Sequence, residues 1–115
     1  MIAKLYKIAE GLSNRFPGGN DPFMIVTRLA EECGEVAAEV NHFEGQGVKL
    51  ERYGAPDRKK LAKELQDVVR AILQLVLYYD LQTEFAESVD EYYRRVVDEG
   101  LVEPLADEPL GPGGA

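Results

Sequence analysis

The sequence predicts an all-α fold, a single four-helix-bundle-type domain. Three observations lead there: apolar residues recur at helical spacing in four successive segments, Gly, Pro and Asp punctuate the chain between them, and no segment shows the period-two alternation of a strand. The 115 residues are enough for one core and too few for two independently folding units. We therefore expect residues 1–102 to form the helical domain and residues 103–115, with three Pro and three Gly and little to pack, to form a flexible tail.

The first helix follows from Ile2, Leu5, Ile8, Ala9 and Leu12, which share one face, and Pro17, Gly18 and Gly19 end it near residue 16. Asp21 before Pro22 is a start signal, because the Asp carboxylate accepts from free first-turn amides while Pro has no amide hydrogen to leave unpaired. A second helix should run from about Pro22 to Phe43, with Ile25, Leu29, Cys33, Val36, Ala37 and Val40 as its apolar stripe and Cys33 an inert core thiol. Gly45, Gly47, Gly54 and Pro56 mark a loop, and Asp57 can cap a third helix reaching about Asp80. From Leu61 to Leu81, 14 of 21 residues are apolar or aromatic, more than a one-sided stripe needs. That excess predicts a helix buried on several sides, with another subunit covering what one chain leaves open. Thr83 can cap the fourth helix, whose stripe is Phe85, Val89, Tyr92 and Val96.

Charge narrows the function. Thirteen Lys plus Arg against 21 Asp plus Glu give a formal charge of −8, which opposes a nucleic-acid backbone or an anionic bilayer, so neither is an expected partner. One cysteine cannot make an internal disulfide, the N-terminus lacks the order of a secretory signal, and no apolar run reaches the ~18 to 20 residues of a membrane span. A cytoplasmic setting fits these features.

Glu31, Glu32 and Glu35, written EECGE, lie within five residues of the second helix, and Glu64 and Asp67, in ELQD, are three apart on the third. Helical geometry lets each set converge on one edge, and antiparallel packing would turn both sets to one space. Two carboxylates ~5 Å apart repel by about 3 kcal/mol at an effective dielectric of ~20, so such a group must protonate, spread or bind a cation. Oxygen ligands suit Mg²⁺, with Mn²⁺ as a substitute, whereas zinc would recruit Cys or His, of which only Cys33 and His42 exist. A bound magnesium ion serves phosphoanhydride hydrolysis. The plainer reading is that each Glu is a solvated helix-face charge. Against it, Glu64 and Asp67 sit on the most apolar helix, where unpaired charge is expensive, and Gly34 inside the cluster suggests close approach of a neighbouring helix or ligand.

The two elements EExxE and ExxD, on consecutive helices separated by a Gly-bearing loop and flanked by RLAEECGEV, resemble the MazG-like all-α nucleotide pyrophosphohydrolases over roughly residues 20 to 100. The resemblance implies a homodimer or dimer of dimers that uses Mg²⁺ to cleave a nucleoside triphosphate between its α and β phosphates, giving a nucleoside monophosphate and pyrophosphate. It further implies that Glu32, Glu35, Glu64 and Asp67 are direct metal ligands and that Glu31 holds a further ion or orients the attacking water. Related branches act on dUTP or phosphoribosyl-ATP; some place His or Asn soon after the ExxD Asp, where this chain has Arg70 and Gln74.

Arg70, three residues after Asp67, can hold a triphosphate oxygen or form a structural salt bridge. Lys63 belongs to a locally basic stretch with Lys49, Arg52, Arg58, Lys59 and Lys60 that would gather polyphosphate or simply be solvated. His42 continues the face of Glu31 and Glu35 and is a candidate contact to base or sugar, or a helix-end residue. Arg28 is read as an intrahelical partner of Glu31 and Glu32. A di-iron bundle would need Glu-x-x-His twice, which one His cannot supply. The remaining alternatives are a non-catalytic interaction or regulatory bundle with no metal dependence, and a pathway enzyme resembling the phosphoribosyl-ATP pyrophosphohydrolases.

Overall fold

The computed structural model describes residues 1–45 and 54–106. Among these the chain is all-helical: α1 (Ile2–Arg15), a 3₁₀ turn (Pro17–Gly19), α2 (Pro22–Phe43), α3 (Arg58–Tyr78) and α4 (Gln82–Asp98). The chain divides into two compact units, Met1–Asp80 and Leu81–Ala115. The basic residues Lys49 and Arg52, and residues 107–115 of the expected tail, lie outside the described residues.

In the first unit the caps act as the sequence predicts. Asp21 Oδ1 accepts from the Met24 amide at 2.9 Å with Pro22 in the first turn, and Asp57 Oδ1 accepts from the Lys59 amide at 2.9 Å. Asn20 ties the turn back to α1 by donating from Nδ2 to the Ser13 carbonyl at 2.7 Å. Helix α3 packs against both α1 and α2 and carries most of the core, Ala71, Leu73 and Val76, which joins Ala9 of α1 and Ile25 of α2. Glu39 meets Lys60 while Glu32 meets Glu64 and Asp67, so α2 and α3 run antiparallel.

Two expectations about α2 need correction. Cys33 is exposed rather than a core thiol, and so are Ala37 and Val40. The face turned to α3 runs instead through Ile25, Leu29, Glu32, Val36 and Glu39, offset by one residue from Cys33 and Val40. Gly34 is exposed too, and a Cβ built there meets nothing within 4 Å, so no close neighbour within this chain accounts for it. On α3, Leu65, Val69 and Ile72 are exposed although the helix packs on two others.

In the second unit, α4 begins at Gln82 with Leu81 as its cap residue and no side-chain cap bond, so Thr83 lies inside the helix instead of capping it. The chain break before it is made by Asp80, which takes the left-handed conformation (φ 57°) that Asp tolerates better than most residues. After Gly100 (φ 76°) the chain folds back within this unit, the Leu105 amide donating to the Tyr93 hydroxyl at 2.7 Å.

Candidate metal and nucleotide site

Glu64 and Asp67 are one turn apart on α3, and both are buried. Glu32 of α2 faces them half-buried, and one carboxylate oxygen from each of the three lies within 4.8 Å of the others. Burying three like charges together requires compensation. Part of it comes from α3 itself: Lys63 Nζ lies 2.8 Å from Asp67 Oδ2, and the Arg70 guanidinium donates from Nη2 to Asp67 Oδ1. Asp67 is thus held from both sides by cations one turn before and one turn after it. Glu64 has no ion pair among the described residues.

The donor set fits a hard divalent cation. Two oxygens on opposite sides of a magnesium ion are separated by about 4.1 Å, twice the usual Mg–O distance, so a group spanning 4.8 Å needs only small side-chain adjustments to close on one. No sulfur or imidazole belongs to the group, which argues against zinc. Beside it opens a cleft of about 240 Å³ lined by Glu32 and Asp67 and by three cations, Arg28, Lys63 and Arg70. Acid and base are therefore interleaved, as a polyphosphate carried with a metal ion requires.

The remaining candidates are placed differently. Glu31 is exposed and lines a shallow depression of about 490 Å³ with Phe23, Met24, Thr27 and Arg28. Glu35 is exposed on α2 and is not among the three converging carboxylates. His42 is buried, its Nε2 paired with the Gly54 carbonyl and its Nδ1 3.9 Å from Glu39 Oε2, so its ring ties the end of α2 to the start of the segment leading into α3.

Sequence reasoning missed two residues. Glu39 is fully buried, with Lys60 Nζ 3.3 Å from Oε1. Its position, one turn beyond Glu35 and two beyond Glu32, continues the acidic face and was the available signal. Gln74, on α3 two turns beyond Asp67, is 4% exposed; its place soon after the ExxD Asp, where some related branches carry His or Asn, was the available signal.

The fold and this group define an all-helical domain with convergent carboxylates at the edge of a cationic cleft. The chain belongs to the MazG nucleotide pyrophosphohydrolase family, whose domain model matches residues 21–99, from the cap of α2 to the end of α4. No curated protein and no solved structure matches the chain. Family membership suggests nucleotide pyrophosphohydrolase activity. No helix among the described residues is long and apolar enough to cross a membrane.

Proposed function

We propose that the chain is a Mg²⁺-dependent pyrophosphohydrolase that converts a nucleoside or deoxynucleoside triphosphate to the monophosphate and pyrophosphate. The observation that carries this reading is the convergence of Glu32, Glu64 and Asp67 at the edge of a cleft whose other charged lining is Arg28, Lys63 and Arg70. Glu32, Glu64 and Asp67 would hold the ion, with Glu35, one turn along α2, completing the set and Mn²⁺ an accepted substitute. Held by these residues, an ion would supply neutralisation of triphosphate charge and a lowered pKa for a water. Water attacks the α phosphorus and gives up its proton to solvent, the bond to the α–β bridging oxygen breaks with its electron pair staying on that oxygen, and pyrophosphate leaves. Glu31, exposed on α2 and outside the converging group, would have to turn toward the site to orient that water or hold a further ion.

Arg70 and Lys63 do two jobs in this scheme. They hold Asp67 in place in the metal-free protein, and both are long enough to turn from it to the phosphate oxygens. The chain has no GxxxxGK[ST] loop to cradle phosphates with backbone amides, so these side chains carry that neutralisation. His42, engaged by Gly54 and Glu39, supports the site through the α2 end, and a contact to base or sugar would require it to leave that bond. A second copy of the chain would cover Leu65, Val69 and Ile72 and the exposed stripe of Val26, Cys33 and Val40, giving a homodimer or dimer of dimers. A cytoplasmic protein fits the single exposed cysteine.

Chromatography of products from the NTPs and dNTPs in Mg²⁺, with Glu64→Gln as the control, tests the reaction. Pyrophosphate and monophosphate should appear together and the control should lose nearly all activity. Orthophosphate as first product, or an unaffected control, would overturn the assignment and favour a non-catalytic helical bundle.

A further inference from the structure

The cationic cleft accounts for phosphates and metal but leaves the nucleoside without a place. A second cleft, of about 380 Å³, opens between the C-terminal half of α1, the turn that follows it and the C-terminal half of α3. Its polar lining is Glu10, Ser13, Asn14, Asn20, Gln74 and Tyr78. The first four belong to α1 and the turn after it and precede residue 21, where the matched family region begins. The wall is built in advance: the 2.7 Å bond from Asn20 to the Ser13 carbonyl locks the turn against the helix.

Gln74 lines both clefts. It is 4% exposed, its Nε2 is buried without a hydrogen-bond partner, and no bond to its side chain is formed among the described residues. An amide kept in that condition is destabilising unless a ligand satisfies it. Gln74 also lies two turns along α3 from Asp67, on the same helix as two of the three converging carboxylates.

Resting on the hydrolase reading above, we infer that the α1-side cleft receives the nucleoside part of the substrate and that Gln74 is its specificity-determining residue. A glutamine amide presents an N–H donor and a carbonyl acceptor side by side, which matches a base edge carrying an acceptor next to a donor. Tyr78 supplies a ring beside it, and Leu77 and Ile25 an apolar floor.

The test compares kcat/KM for dATP, dGTP, dCTP and dTTP, in Mg²⁺, between the full chain, Gln74→Met and Asn14→Ala. Methionine keeps the length and removes both polar atoms. The ratio between the best and worst base should fall about tenfold in Gln74→Met, mainly through KM, as expected for losing one or two base hydrogen bonds. Its melting temperature should stay level or rise, because an unsatisfied buried amide has gone. Asn14 is exposed and outside the core, so Asn14→Ala folds normally and should lower the same ratio about threefold. Two results would overturn the inference while leaving the hydrolase reading standing: a wild type that treats the four bases alike, or variants that keep its ratio. A wild type that hydrolyses no nucleotide sinks both.

Discussion

Neutralising Glu64 should strengthen the metal-free protein and abolish its response to magnesium. In the structure Glu64 is buried, has no ion pair among the described residues, and places an oxygen within 4.8 Å of oxygens from Glu32 and Asp67. At that separation each like-charge pair costs about 3.5 kcal/mol at an effective dielectric of 20, an upper figure that solvent and the Lys63 and Arg70 charges reduce. Glu64→Gln removes both repulsions with little change of shape, and a net gain of about 1 kcal/mol, or roughly 4 to 8 °C in melting temperature, is expected without metal. Asp67→Asn also removes two repulsions but strips Lys63 and Arg70 of their partner, so it should bring no gain. With metal the ordering reverses. For a dissociation constant of ~1 mM, 10 mM Mg²⁺ stabilises the wild type by RT ln 11, about 1.4 kcal/mol, or roughly 6 to 11 °C. Either variant should keep less than about a quarter of that shift. Calorimetry in chelator and in 10 mM Mg²⁺ measures all six values. A Glu64→Gln protein that is less stable in chelator and still gains fully from magnesium would refute the reasoning, because the three carboxylates would then be neither strained nor a metal site.

Gly34→Ala should stabilise the chain by about 1 kcal/mol in urea unfolding, since the position is mid-helix, exposed and open around the new Cβ. A loss instead would place a second copy against that face. Lys60→Met should destabilise by about 1 to 2 kcal/mol, the half-exposed ammonium moderating the cost of leaving Glu39 with one partner fewer; a loss below ~0.3 kcal/mol would show that the pair contributes nothing.

How much of this was legible in the sequence depends on whether a feature is local. Helix boundaries mostly were: Asp21 with Pro22, Asp57, and the Gly and Pro breaks set where α1 stops, where α2 starts and stops and where α3 starts, because capping and backbone conformation are decided within a few residues. The spacing of Glu64 and Asp67 also guaranteed that they share an edge of α3. The fourth helix shows the limit even here, since Thr83 satisfied the preference for a cap yet a left-handed Asp80 opened the helix earlier.

What the sequence alone determined was four helices in order, most of the ends of the first three, and two acidic edges on consecutive helices. Tertiary structure decided which edge of α2 meets α3. That helix carries two apolar seams one residue apart, Ile25–Leu29–Val36 and Val26–Cys33–Val40, and periodicity weighs them almost equally. The choice falls to contacts from other segments: Lys60 and the Gly54 carbonyl make it possible to bury Glu39 and His42, so the seam containing acid and imidazole turns inward and the one containing Cys33 turns out. That rotation brings Glu32 to Glu64 and Asp67 and leaves Glu31 and Glu35 at the surface, and the packing of α1 and α2 on α3 sets Gln74 between two clefts. Each of these outcomes depends on charges and backbone groups far apart in the chain, whose distances no local pattern encodes.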